Sequence, residues 1–333
     1  MFASEIVSVG MFVPPRIVTN DELSKYMETS DEWISQRSGI KERRWVAPEV
    51  GSSDLALEAA RIAITNAKID PSEIDLILCA TLSPDHDFPG LGCFLQAKLG
   101  LSGCATLDIR QACSGFIFGL SIADQYLRTG MYKTILLVGA EIHSKGLDVS
   151  TRGRDIAVLF GDGAGAVLLK QTAATNQSRI LSTHLHSDGM HAKELWLAAP
   201  GSALGADRLN ASHIEEGLHF PKMNGKKVFA HAIRRMAEVM QEALIKNNMK
   251  LEEIDLFLFH QANLRINEML AQELKIPPEK VFNTIMKYGN TTAATIPIGM
   301  AEAVKAGKLK KGMTVASAAF GSGFSWASAI YRW

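Results

Sequence analysis

Residues 73–80 read EIDLILCA and residues 253–260 read EIDLFLFH, so the same junction returns after 180 residues (253 − 73). Each copy follows a helical segment and runs on as a short, unbroken apolar stretch, the pattern of a strand covered on both faces. A second pair keeps the interval: ILLVGA at 135–140 and VASAAF at 315–320 are again 180 apart (315 − 135), after the approaches GMYK and GKLKKGM. Two matches at one interval point to duplicated halves. The competing reading is that EIDL followed by a strand is a common helix-to-strand junction.

Working outward, apolar runs at 75–81, 134–140, 166–169, 255–259 and 314–319 are expected to be buried parallel strands. Between them, residues 54–68 (DLALEAARIAITNAK) and 228–246 (VFAHAIRRMAEVMQEALIK) place apolar residues at three-to-four spacing with charges opposite, as amphipathic helices do. The alternation predicts an α/β fold. The polar stretch 171–178 is the expected linker, which divides the chain into 1–170 and 171–333. Residues 187–222, rich in Gly, His and Asn, are expected to be a surface excursion or a cover over a site.

The composition sets bounds. In 333 residues, 47% are hydrophobic and 21% charged, with Lys+Arg and Asp+Glu at 35 each, which suits a soluble globular protein and gives no footing for nucleic acid. Glu5 precedes a short apolar stretch ending at Pro14 and Pro15, without the basic flank or apolar length of a secretion signal. No segment reaches the ~18 to 20 apolar residues of a membrane span. A cytoplasmic protein with no membrane insertion is expected.

Four cysteines, Cys79, Cys93, Cys104 and Cys113, form no C-x-x-C pair and no zinc-type pattern with histidine. In a reducing compartment they are free thiols. Cys113 follows a strand-like run at 105–109 and opens the small-residue turn Cys113-Ser114-Gly115, which leads into a helical run at 116–126. A helix N-terminus favours a thiolate, so Cys113 is the candidate nucleophile. Cys79, Cys93 and Cys104 lack that setting and are expected to pack.

His260 ends the strand at 255–259, and strand ends are where α/β proteins build sites. A lone histidine there also fits a structural role. The interval of 180 carries Cys113 onto residue 293, inside GNTTA at 289–293, so facing turns of two halves would bring Cys113, His260 and Asn290 together. The stretch AFGSGF at 319–324 reads as a Gly-rich hairpin turn or as half of an oxyanion hole. GDGAG at 161–165 is no dinucleotide loop, because a strand follows where a helix is required. His184, His186 and His191 have no acidic or cysteine partner at metal-ligand spacing, so no metal site is expected.

LDIRQACSGF around Cys113, FHQANLRI around His260, YGNTTAATIP around Asn290 and the terminal AFGSGFSWASAIYRW resemble the β-ketoacyl-ACP synthase III family. TSDEWISQRSGIKERRW at 29–45 and LFGDGAGAVLL at 159–169 carry the likeness nearly end to end. The resemblance implies a thiolase fold, two duplicated halves in a five-layer αβαβα sandwich, and a homodimer. It implies decarboxylating condensation of an acyl-CoA starter with malonyl-ACP, initiating fatty acid synthesis through an acyl-cysteine. Acyl-CoA and the acyl carrier protein are then substrates, and no cofactor is needed.

Carried over by position, Cys113 corresponds to the acylated nucleophile, and His260 and Asn290 to the pair supporting malonyl decarboxylation. The backbone N–H groups of Cys113 and Ser322 correspond to the oxyanion hole. Trp33 and Arg154 match positions that sandwich the adenine of coenzyme A, with Arg37 at the tunnel mouth; Phe88 and Met223 match tunnel-lining positions, and Asn263 belongs to the same substrate set. Gln261, Ala262, Asn263, Leu264 and Arg265 match the segment that meets the carrier. Two departures stand out. Ala230 replaces a basic residue of the carrier-docking helix, with Lys226 or Lys227 as substitutes, and Arg110-Gln111-Ala112 replaces a small-residue run. With TLSPDHDFPG and AAPGS, the second departure is similar to specialised relatives, so an alkylquinolone-type or acyl-CoA/acyl-CoA condensation is the alternative.

Overall fold

A computed structural model describes residues 2–333. The first sheet has five strands in the order Phe2–Phe12, Gly163–Ala173, Thr134–Glu141, Leu76–Ala80, Ala105–Ile109, the last three parallel and the first two joined antiparallel. The second has four: Leu256–Phe259 and Thr314–Gly321 are parallel, and Ser325–Arg332 and Ile180–Ser187 follow antiparallel. Helices Gly115–Thr129 and Thr295–Lys305 fill the space between the sheets, in one core with Leu78, Leu137, Leu258 and Val315. Ser52–Ala67 covers the outer face of the first sheet, and Gly225–Lys246 with Leu264–Leu274 covers that of the second. The result is the five-layer αβαβα sandwich of the thiolase fold.

The EIDL junction has the same physical cause in both halves. Glu73 accepts the Asp70 N–H at 3.0 Å and Glu253 the Lys250 N–H at 2.7 Å, each closing a short 3₁₀ turn. Ile74 and Ile254 are buried. Asp75 then accepts the Thr134 N–H at 2.9 Å, and Asp255 accepts that of Thr314 at 2.8 Å, which sets the neighbouring strand in register. The backbone repeats too: Lys68 and Asn248 take φ of +55° and +51°, and Ala112 and Thr292 take +48° and +49°. Each pair is 180 residues apart, so the duplication extends to strained positions.

The expected strands and helices are present, with shifted ends, but the strand around 166–169, expected to be parallel, pairs antiparallel with both neighbours. The run at 166–169 is the middle of Gly163–Ala173, so residue 170 lies within a strand and the crossing to the second sheet occupies 174–179. Gly165 belongs inside that strand because the central helix presses on it; a Cβ there would lie 2.7 Å from Pro297 Cβ. The excursion at 187–222 holds two short strands, Leu195–Trp196 and Lys222–Met223, paired with each other. Cys93 is exposed, against the expectation that it packs, while Cys79 is buried. Among the described residues no helix is long and apolar enough to cross a membrane.

Candidate active site

The two sharp turns that begin the central helices face each other. Cys113 lies in Ala112–Ser114, between Ala105–Ile109 and Gly115–Thr129, and its counterpart turn is Thr292–Ala294. A positive φ at Ala112, and above all at β-branched Thr292, is uncommon strain of the kind that collects at functional sites. Gly321 closes against the nucleophile: a Cβ there would stand 2.8 Å from the Cys113 nitrogen and 2.9 Å from its Cβ. The following loop is tied to the same turn, because Ser325 Oγ meets Ser114 Oγ at 2.6 Å and donates to the Ser322 carbonyl at 3.1 Å. Ser322 is therefore held one residue beyond the contact with Cys113.

Cys113, His260 and Asn290 line one cavity of about 510 Å³. His260 follows Leu256–Phe259, with its N–H on the Ala318 carbonyl at 2.9 Å, and is 3% exposed. Its Nδ1 is 2.7 Å from Thr295 Oγ1, and its Nε2 is buried without a partner. Burial lowers its pKa to about 3, so the imidazole is neutral at neutral pH. Asn290 Oδ1 accepts the Thr292 N–H at 2.8 Å. That bond fixes the carboxamide with its NH₂ free for a ligand.

The thiol departs from expectation. Burial first, then the Glu141 carboxylate, push Cys113 up to about 12. The helix N-terminus was expected to favour the thiolate, but desolvation in the interface between the halves outweighs it. Glu141 is fully buried and raised to about 7 by that burial, although Leu82 N–H and Ser83 Oγ both donate to it. A neutral thiol, a neutral imidazole and a carboxamide donor thus converge at buried positions of one cavity, where hydrogen bonds to a developing oxyanion are strong. Among the described residues no group of three or more His, Cys, Asp or Glu could hold a metal.

Trp33, Arg37, Met223, Ala262 and Asn263 also line the cavity, with Ile34, Leu195, Met236 and Phe320 forming an apolar wall. The Trp33 ring already carries two guanidinium groups, Arg37 at 4.3 Å and Arg154 at 4.7 Å. Arg154 also donates to the Glu28 carbonyl at 2.7 Å. Asn263 caps Leu264–Leu274 and donates to the Arg37 carbonyl at 2.9 Å, tying that helix to the Trp33 helix. Phe88 is different: it is 81% exposed and lies outside the lining of this chain's own cavity.

The expected carrier segment divides. Arg265 is exposed and sits over Phe229, whereas Leu264 packs half-buried near Ile34. Gln261 is 3% exposed; its Oε1 accepts from Thr284 and Ile285 and its Nε2 donates to Phe259. It braces the site from within and offers no surface to a partner. Ala230 and Lys226 are exposed, and Lys227 is paired with Glu194. Sequence reasoning passed over Thr295 and Glu141. The one signal for Glu141 is a carboxylate ending an otherwise apolar strand; Thr295 becomes visible only once its helix is placed beside His260.

A family model for 3-oxoacyl-[acyl-carrier-protein (ACP)] synthase III matches residues 107–189, and its C-terminal counterpart matches 244–333. The chain is 42% identical over 333 residues to a β-ketoacyl-[acyl-carrier-protein] synthase III of Caldanaerobacter subterraneus subsp. tengcongensis, covering 99% of this chain and 98% of that protein. A crystal structure of 3-oxoacyl-[acyl-carrier-protein] synthase III from Aquifex aeolicus superposes with a TM-score of 0.89 at 40% identity, covering 99% of this chain and 100% of that one. The corresponding Pseudomonas aeruginosa structure gives 0.90 at 33% identity, over 99% and 98%.

Proposed function

The chain belongs to the β-ketoacyl-ACP synthase III family of condensing acyltransferases, which initiate fatty acid synthesis, and from that premise we propose that Cys113, His260 and Asn290 carry the reaction between an acyl-CoA and malonyl-ACP. The observation behind this reading is the meeting of those three side chains in one buried cavity, contributed by both halves of the fold. Cys113 Sγ attacks the acyl thioester, and its proton leaves with the released thiol. Because the thiol is held near 12, attack and proton loss occur together. The N–H groups of Cys113 and Ser322 receive the thioester oxyanion, a contribution of roughly 3 kcal/mol per donor.

In the second half-reaction the malonyl unit loses CO₂ and its electron pair passes to an enolate. Asn290 Nδ2–H and His260 Nε2–H donate to the enolate oxygen. The enolate carbon then attacks the acyl-cysteine, Cys113 leaves as thiolate, and one solvent proton restores the thiol. The apolar wall of Ile34, Leu195, Met236 and Phe320 suits the acyl chain. Trp33, Arg37 and Arg154 at the mouth suit the adenine of coenzyme A, and exposed Arg265 with Lys226 suits an acidic carrier.

A homodimer is supported by the edge strand Ala105–Ile109, whose residues are all partly exposed at a sheet margin, and by exposed Phe88. The half-reactions separate the roles. Cys113→Ala forms no acyl adduct by intact-mass spectrometry, because the attacking atom is gone. His260→Ala and Asn290→Ala still acquire the acyl group but lose malonyl decarboxylation. An adduct of full yield on Cys113→Ala, or decarboxylation that survives in both other variants while acylation fails, refutes the assignment.

A further inference from the structure

His260 can donate from Nε2 only if Nδ1 is the unprotonated nitrogen. Neutral imidazole has one hydrogen, and the partner of the other nitrogen decides where it resides. Nδ1 lies 2.7 Å from Thr295 Oγ1, its one hydrogen-bond partner among the described residues. The Thr295 hydroxyl has a single proton and two acceptors in reach, Nδ1 and the Thr292 carbonyl at 3.0 Å. That carbonyl already receives the backbone N–H of Thr295 itself. The carbonyl therefore has a donor of its own, which leaves the hydroxyl proton free for Nδ1. With Nε2 as the donating nitrogen, the Thr295 hydroxyl supplies the hydrogen of the Nδ1 contact, because Nδ1 then has none to give.

Resting on the role given to His260 above, we propose that Thr295 is a positioning residue that holds His260 as its Nε2–H tautomer, so that a neutral imidazole enters the decarboxylation step as a donor. Nε2, which has no partner within the protein, is the nitrogen left free to donate. Thr295 sits in the first turn of the central helix Thr295–Lys305, and the backbone on either side of Thr292 ties it to the same turn that fixes Asn290. One short segment thereby orients both enolate donors. The acyl-transfer half-reaction does not use this hydrogen bond.

Thr295→Val removes the hydroxyl at nearly constant volume, and Thr295→Ser keeps it. One hydrogen bond between neutral groups is worth about 1 kcal/mol, more when its loss strands a buried group, so malonyl decarboxylation by Thr295→Val should fall about tenfold. Acyl transfer to Cys113, measured separately by mass, should stay within about twofold, and Thr295→Ser should restore decarboxylation. The ¹⁵N spectrum of histidine-labelled wild-type enzyme should show His260 protonated at Nε2, with Nδ1 accepting a hydrogen bond. Equal loss of both half-reactions in Thr295→Val without rescue by Ser would mean a merely structural role. Unchanged decarboxylation in Thr295→Val, or a wild-type spectrum with hydrogen on Nδ1, also overturns the proposal. His260→Ala separates the layers: if it keeps decarboxylation, the role of His260 itself falls; if it loses decarboxylation while Thr295→Val does not, only Thr295 is misassigned.

Discussion

Truncating Trp33 should weaken acyl-CoA binding far more than truncating Arg154, although both belong to the same stack. In the free protein two guanidinium groups sit over the indole, Arg37 at 4.3 Å and Arg154 at 4.7 Å. An adenine that inserts between Trp33 and Arg154 stacks on each but separates them from one another. A base stacked on an aromatic ring is worth about 1–3 kcal/mol by alanine substitution, and an exposed guanidinium over a ring about 0.5–1 kcal/mol. Trp33→Ala therefore costs the stack less the cation–π pair already present without ligand, a net of about 0.5–2 kcal/mol, or roughly two- to thirtyfold in KM. The Arg154 guanidinium merely exchanges the indole face for the purine face, two interactions of one kind, so with Arg154→Ala the change stays within about twofold. Neither variant should alter kcat, since the adenine is at the opposite end of coenzyme A from the reacting thioester. Initial rates with an acyl-CoA and with the same acyl group on pantetheine provide the assay. A larger effect from Arg154→Ala than from Trp33→Ala, or equal losses with both donors, refutes the reasoning.

Two further outcomes follow from the packing. Gly321→Ala places a Cβ 2.8 Å from the Cys113 nitrogen, a backbone atom that has no room to yield, so acyl-adduct formation should slow at least about tenfold; a wild-type adduct rate would show that the nucleophile turn is not held there. Glu141 titrates near 7 in the fold against an ordinary 4.5, so the native state holds the proton more tightly. Its stabilising contribution is full below pH 4.5 and is lost as the pH rises through 7, a change on the order of 3 kcal/mol. Glu141→Gln should erase that fall in melting temperature between pH 4.5 and 7. It should leave intact the acid-side loss below pH 6.5 expected from His143 and His260, which burial lowers to about 4 and about 3. An unchanged slope in Glu141→Gln would place the titration elsewhere.

What could be read from the sequence was what is local. Glu73, Ile74 and Asp75 each do one short-range job, repeated by Glu253, Ile254 and Asp255, so the duplication was legible wherever hydrogen bonds to nearby backbone fixed the residue type. The runs within Leu76–Ala80, Thr134–Glu141, Leu256–Phe259 and Thr314–Gly321 were legible because these strands are buried along their whole length. The edge strands Phe2–Phe12 and Ile180–Ser187 were not, since each mixes Ser or His with apolar residues. In the second, those polar groups have a purpose invisible in one dimension: His184 and His186 both meet Glu242 on the covering helix.

The same division runs through the site. Cys113 was found from its strand-turn-helix setting, which is local, and its protonation was misjudged because burial against Gly321 and the field of Glu141 come from elsewhere in the chain. Gln261 was placed at the carrier surface by the family resemblance, yet its side chain turns inward to satisfy Thr284 and Ile285. Phe88 matched a tunnel position, and within one chain it stays outside. Residue identity at a turn predicts which groups are available for chemistry. Their protonation and tautomer are set by what the other half presses against them, so Thr295 and Glu141, the residues that decide those states, emerge only when the two halves are packed together.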